Sequence, residues 1–77
     1  MIMAVVRLNL TLIDMAHGMK ELVLAEQTPV ALKTILGRLG VPEEEVGIIV
    51  RNRKTDDIDC MIGREDIVEL FPILSGG

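Results

Sequence analysis

The apolar residues of this chain change period along its length, and that change limits the folds open to it. From Val6 to Leu12, the apolar positions Val6, Leu8, Leu10 and Leu12 alternate with Arg7, Asn9 and Thr11. Period two marks a strand with one buried face. Further on, Leu32, Ile35, Leu36 and Leu39 stand at i, i+3, i+4 and i+7, which is one face of a helix. After Val46 short strand-like runs return. One apolar helical face can cover one apolar sheet face, so the expected fold is a two-layer α+β domain with a mixed sheet of four to five strands.

The elements follow from their punctuation. Asp14-Met15-Ala16-His17-Gly18 carries turn formers at both ends and reads as the loop of a hairpin. The second strand is expected over Lys20 to Ala25, with Leu22 and Leu24 inward. Thr28-Pro29 looks like a helix start, because Thr can cap and Pro is tolerated at the first helical position. Gly40 is placed to end that helix in the left-handed conformation, and Pro42 prevents its resumption. Gly37 in the last turn costs about 1 kcal/mol relative to Ala. Glu43-Glu44-Glu45 is an acidic connector. Val46 to Arg51 is a third strand, Asn52-Arg53-Lys54 a turn, and Thr55 to Ile62 has room for one short strand. Gly63-Arg64-Glu65-Asp66 is a further turn, and Ile67 to Phe71 is the last strand. The expected core is Leu8, Leu10, Leu22, Leu32, Ile35, Leu36, Leu39, Ile48, Val50, Val68 and Leu70.

Seventy-seven residues make a single small domain, near the lower limit for folding unaided. Hydrophobic residues are 49% of the chain, but Phe71 is the only aromatic. The core must therefore be aliphatic. Eight Lys and Arg against twelve Asp and Glu give a net charge of −4. Phosphate backbones call for the opposite sign and base stacking calls for aromatics, so nucleic acid is not an expected partner. A basic protein surface suits this charge better. The apolar runs are too short to span a bilayer, and the N-terminal residues lack the features of a signal peptide. A cytoplasmic location and no membrane association are expected.

Few side chains carry chemistry. Cys60 is the single cysteine, which excludes an internal disulfide. No activating neighbour is visible near it in sequence, so a core or half-buried small hydrophobe is favoured over a nucleophile or sulfur relay. His17 has no ligand-spaced Cys or acid, and Asp56, Asp57 and Asp59 lack the Gly and distal Glu of a calcium loop. No metal and no bound cofactor is expected. The methionines share no period and serve as gap fillers or exposed ends.

The last residues are Phe71-Pro72-Ile73-Leu74-Ser75-Gly76-Gly77. Two glycines add no packing and cost conformational entropy. After a strand, they suit a slim terminus that enters a narrow channel and presents its carboxylate to another active site; the alternative is a frayed end. Residues 1–71 are the expected folded domain and 72–77 an extended tail. Alternation puts Val68 and Leu70 toward the helix and Phe71 on the open face. There it is either a binding anchor or a cover for the sheet edge.

These residues carry a resemblance across essentially the whole chain. Gly63-Arg64-Glu65-Asp66-Ile67, Leu70-Phe71-Pro72, Ser75-Gly76-Gly77 and Val50-Arg51-Asn52 resemble the corresponding segments of the ubiquitin-like β-grasp sulfur carriers, the ThiS/MoaD family. Ile73 stands where many members have a second Pro, and Arg53 where Gly is usual.

The resemblance implies a β-grasp fold and a protein that is a co-substrate and not itself an enzyme, although it could serve as the small subunit of a synthase. By the same resemblance, the Gly77 carboxylate is expected to be activated with ATP by a ubiquitin-activating-like adenylating enzyme. A sulfur nucleophile is then expected to convert it to a thiocarboxylate that serves a sulfur-accepting synthase subunit. Gly76 is expected to give clearance at the narrow end, and Phe71, Pro72, Ile73, Leu74 and Ser75 to contact the partner. The ending leans toward molybdopterin or tungstopterin synthesis over the thiazole of thiamine. Two other functions remain open: a ubiquitin-like modifier joined through Gly77 to lysines, and a non-catalytic β-grasp interaction module.

Overall fold

A computed structural model describes residues 3–25 and 29–73. Strand β1 (Ala4–Leu8) is followed by a short helix α1 (Thr11–Met15) and strand β2 (Glu21–Leu24). Strand β3 (Val30–Ala31) leads directly into helix α2 (Leu32–Leu39). A 3-10 turn (Glu43–Glu45) precedes β4 (Val46–Arg51), β5 (Lys54–Thr55), β6 (Met61–Ile62) and β7 (Ile67–Pro72).

Five strands form one sheet in the order β2-β1-β7-β4-β5, and β3 pairs with β6 alone. The central β1–β7 pair is parallel and its neighbours are antiparallel. Helix α2 supplies Leu32, Ile35, Leu36 and Leu39, all buried, to the same core as Val6, Leu8, Val68 and Leu70. A mixed sheet with its last strand central and one dominant helix on one face is an α+β, β-grasp-like architecture.

The C-terminus of α2 forms as its sequence requires. Gly40 has φ 78°. Its N–H donates to the Gly37 carbonyl, and the Val41 N–H donates to the Leu36 carbonyl at 3.0 Å. These are the two bonds of a Schellman motif, and Leu36 and Val41 are both buried behind it. The N-terminus differs from expectation. Val30 and Ala31 pair with β6, so the helix begins at Leu32. The Leu32 N–H donates to the Cys60 carbonyl at 3.0 Å in place of a side-chain cap. Pro29 precedes the helix, and Thr28 lies outside the described residues.

Two further expectations are corrected. The first strand stops at Leu8, because Leu10 takes a left-handed φ of 55° and the chain turns into α1. Leu10 is 64% exposed, while Leu12 on α1 and Ala16 just after it, four apart, are buried. A spacing of four satisfies both periods, which is why Leu8 and Leu12 could pass for one strand. The second correction is in β4. Val46 stands opposite Pro72 and Ile48 opposite Phe71, so the extra residue Gly47 forms a bulge. One added residue inverts every side chain beyond it. Ile49 is therefore buried opposite Leu70, and Ile48, expected inside, is 47% exposed. Val50, also expected inside, is carried by the same inversion to the open face opposite Glu69 and is only half-buried, whereas half-buried Leu22 packs against the core. The core also takes in Ala4, Val41 and Ile62.

Candidate functional site

Strand β7 carries Phe71 and Pro72 of the expected C-terminal site, Ile73 follows it directly, and the strand is held at both ends. At its start, Asn52 and Asp66 tie it to the end of β4. The Asn52 N–H donates to the Ile67 carbonyl at 2.8 Å, and the Ile67 N–H donates to Asn52 Oδ1 at 2.9 Å. Asn52 Nδ2 donates to Asp66 Oδ1 at 2.8 Å. Asp66 Oδ2 accepts from the Gly63 N–H at 2.7 Å and from Arg51 Nη1 at 3.3 Å. Arg51 Nε donates to Asp56 Oδ2 at 2.7 Å.

This network sets the charge state of its members. Burial opposes ionisation of Asp66, but the hydrogen bonds from Asn52, Gly63 and Arg51 outweigh it and hold the carboxyl below its ordinary pKa. Asp56 is also lowered, first by the N–H of Asp57 and then by Arg51. The same bonds raise Arg51. The left-handed backbone at Asn52, Arg53 and Glu65 belongs to the two turns that bring these groups together.

At its far end, β7 leaves the sheet against the bulge in β4. Pro72 is buried on the helix side opposite Val46, and the Ile73 N–H donates to the Glu45 carbonyl at 3.1 Å. Ile73 is 53% exposed. Phe71 is half-buried and points to the opposite side of the sheet from Pro72. Leu74, Ser75, Gly76 and Gly77, the rest of the expected site, lie outside the described residues.

The sheet face away from α2 is partly apolar. Val5 stands in register with Val23 on one side and Ile67 on the other. Ile48 stands opposite Phe71. Val23, Ile48 and Ile67 are exposed, and Val5 and Phe71 are half-buried. Between these groups runs a polar row, Glu21–Arg7–Glu69, with Arg7 Nε 3.3 Å from Glu21 Oε2. Ile48 was missed in sequence because the bulge that turns it outward is signalled only by Gly47.

The remaining chemical candidates stand apart from this site. Cys60 is half-buried; burial, followed by the charge of Asp56, raises its thiol above the ordinary range, which disfavours the nucleophilic thiolate. His17 is exposed in the turn after α1. Asp59 and Glu43 pair with Lys33 at 2.8 and 3.8 Å. Among the described residues there is no cluster of three or more His, Cys, Asp or Glu that could hold a metal ion. No described helix is long and apolar enough to cross a membrane.

No protein-family model matches this chain, and no curated protein matches it at a significant level. The fold supports a small β-grasp module, and a finer assignment rests on the residues themselves.

Proposed function

We propose that this β-grasp module is a sulfur carrier of the ThiS/MoaD type, with Gly77 as its reacting residue. The observation that carries the reading is the exit of β7. After Pro72, the last residue of β7, Ile73 leaves the sheet at the edge of a face that exposes Ile48 beside Phe71, and Leu74-Ser75-Gly76-Gly77 follow in sequence. Pro72 belongs to β7 and Ile73 is bonded to Glu45, so the four residues from Leu74 to Gly77 form the tether; fully extended they reach about 14 Å, enough to enter a neighbouring protein while the sheet face docks outside.

The chemistry requires that Gly77 carry the free carboxylate. One of its oxygens attacks the α-phosphorus of ATP on an adenylating partner and expels pyrophosphate. The resulting acyl adenylate has AMP as a good leaving group. A sulfur nucleophile, written as hydrosulfide, attacks the carbonyl carbon, AMP departs, and a thiocarboxylate remains. The protein would then be a co-substrate, with the ATP site on the partner. A sulfur-accepting synthase subunit would consume the product, with molybdopterin or tungstopterin synthesis favoured over thiamine.

The exposed apolar sheet face favours a second reading, a non-catalytic interaction module, because it needs only that surface. A protein modifier would share the activation step and differ in the attacking group. Exchange of pyrophosphate into ATP separates the module from the other two. With the adenylating enzyme of the same organism, exchange should require this chain and be lost on deletion of Gly77. Exchange that persists without Gly77 contradicts the carrier mechanism.

A further inference from the structure

Gly47 is a glycine for lack of space. It is not among the glycines with left-handed φ, which are Gly18 and Gly40. A Cβ built on it would lie 2.9 Å from the Cα of Ile73, 2.9 Å from the carbonyl oxygen of Pro72 and 3.0 Å from the Ile73 nitrogen. All three are backbone atoms, so no flexible side-chain end is available to move aside. The residue is also the extra one in the β4 bulge, between the Val46–Pro72 and Ile48–Phe71 pairs. Two residues earlier, the Glu45 carbonyl accepts from the Ile73 N–H at 3.1 Å. The backbone that leaves the sheet is thus pressed onto β4 at a point where any side chain would hold it off.

We infer that Gly47 is a positioning residue for the C-terminus: its bare backbone, with the Glu45 carbonyl, fixes the direction in which the chain leaves β7. The functional consequence rests on the carrier reading. A terminus that must reach an ATP site in another protein needs a defined point of departure, and a misplacement of about 1 Å can cost about 10²-fold in rate. Gly47→Ala forces Pro72 and Ile73 away from β4 and breaks the bond to Glu45. Phe71 and Ile48, the apolar pair on the open sheet face, are paired with each other and not with Ile73, so the loss is expected mainly in kcat. Gly37, with nothing within 4 Å of an added Cβ, provides the matched control.

Hydrogen exchange followed by NMR on the full chain tests the geometry without any partner. In the unaltered protein the Ile73 amide is expected to be protected. In Gly47→Ala it should exchange at least about tenfold faster, while the amides of Val68 and Leu70 keep their protection. Gly37→Ala should leave Ile73 unchanged. Pyrophosphate exchange with the adenylating enzyme then reads the consequence: for Gly47→Ala, kcat should fall about ten- to a hundredfold at nearly constant KM. An Ile73 amide unaffected by Gly47→Ala overturns the inference, as does an unchanged kcat where the unaltered chain supports exchange. An unprotected Ile73 amide in the unaltered protein overturns it even where Gly47→Ala fails to fold. Absence of pyrophosphate exchange with the unaltered chain removes the carrier reading instead, and the Ile73 amide alone then decides whether Gly47 holds the exit.

Discussion

Ile48 stands directly opposite Phe71 in the antiparallel pairing of β4 with β7, and both side chains lie on the sheet face that α2 does not cover. The pair exists because Gly47 adds a residue to β4 and turns Ile48 outward. Ile48 is thus placed to extend the patch that Phe71 begins, immediately beside the chain's exit from the sheet.

That pair gives the first prediction. Phe71→Ala should weaken binding of the adenylating partner by about 2 kcal/mol or more, as for a binding hot spot. Ile48→Asp should weaken it through the same face. Titration calorimetry reads the affinity, and circular dichroism checks that both variants fold. Equal binding by Phe71→Ala would remove Phe71 from the interface, and loss of folding would assign it to the core.

The core gives the second. Leu36 is almost fully buried between α2 and the sheet. Leu36→Ala should cost about 2–5 kcal/mol, a large share of the stability available to so small a domain. A urea titration measures it as a drop in midpoint.

Much of this packing is legible in the sequence. Leu32, Ile35, Leu36 and Leu39 recur at helical spacing, and Gly40 with Pro42 ends the helix, so the buried face and the end of α2 can be read from local pattern, whereas its start depends on the pairing of Val30 and Ala31 with β6. The outward strand residues are harder. Leu8 and Leu12 fit both a strand and a helical turn, and only the left-handed backbone at Leu10 separates them. Ile48 and Ile49 are chemically alike, and which one is buried depends on how β4 pairs with a strand more than twenty residues later. The network of Arg51, Asn52, Asp56 and Asp66 is equally nonlocal. The expected reactive end, Leu74 to Gly77, is read from sequence alone.

Two glycines make the third prediction, with opposite signs. Gly37 is exposed inside α2 with open space around it, so Gly37→Ala should stabilise by about 0.5–1 kcal/mol through helix propensity. Gly40 has a left-handed φ, so Gly40→Ala should destabilise by roughly 1–2 kcal/mol. Thermal melts of the two variants should move in opposite directions. Equal effects would mean that backbone conformation at Gly40 does not govern the helix end.

Acid stability is the fourth. Asp66 and Asp56 have folded-state pKa values below their ordinary ones. Their contribution is fully present above the unfolded carboxylate pKa of about 3.9, and it is lost as pH falls through the folded values. Asp66→Asn should therefore be less stable than the unaltered chain at neutral pH, and the gap should narrow as pH drops below about 4. Urea midpoints across that range provide the test. A gap that stays constant with pH would show that ionised Asp66 contributes nothing to the link between β4 and β7.

The measurement that bears most directly on the carrier reading is the intact mass of the chain after incubation with its adenylating enzyme, ATP and a sulfur source. The expected product is heavier by the difference between one sulfur and one oxygen, with fragmentation assigning the change to Gly77. Deletion of Gly77, or addition of one residue after it, should abolish the product while leaving the melting temperature nearly unchanged. A mass gain that survives deletion of Gly77, or an adduct to protein lysines in place of the thiocarboxylate, would contradict it.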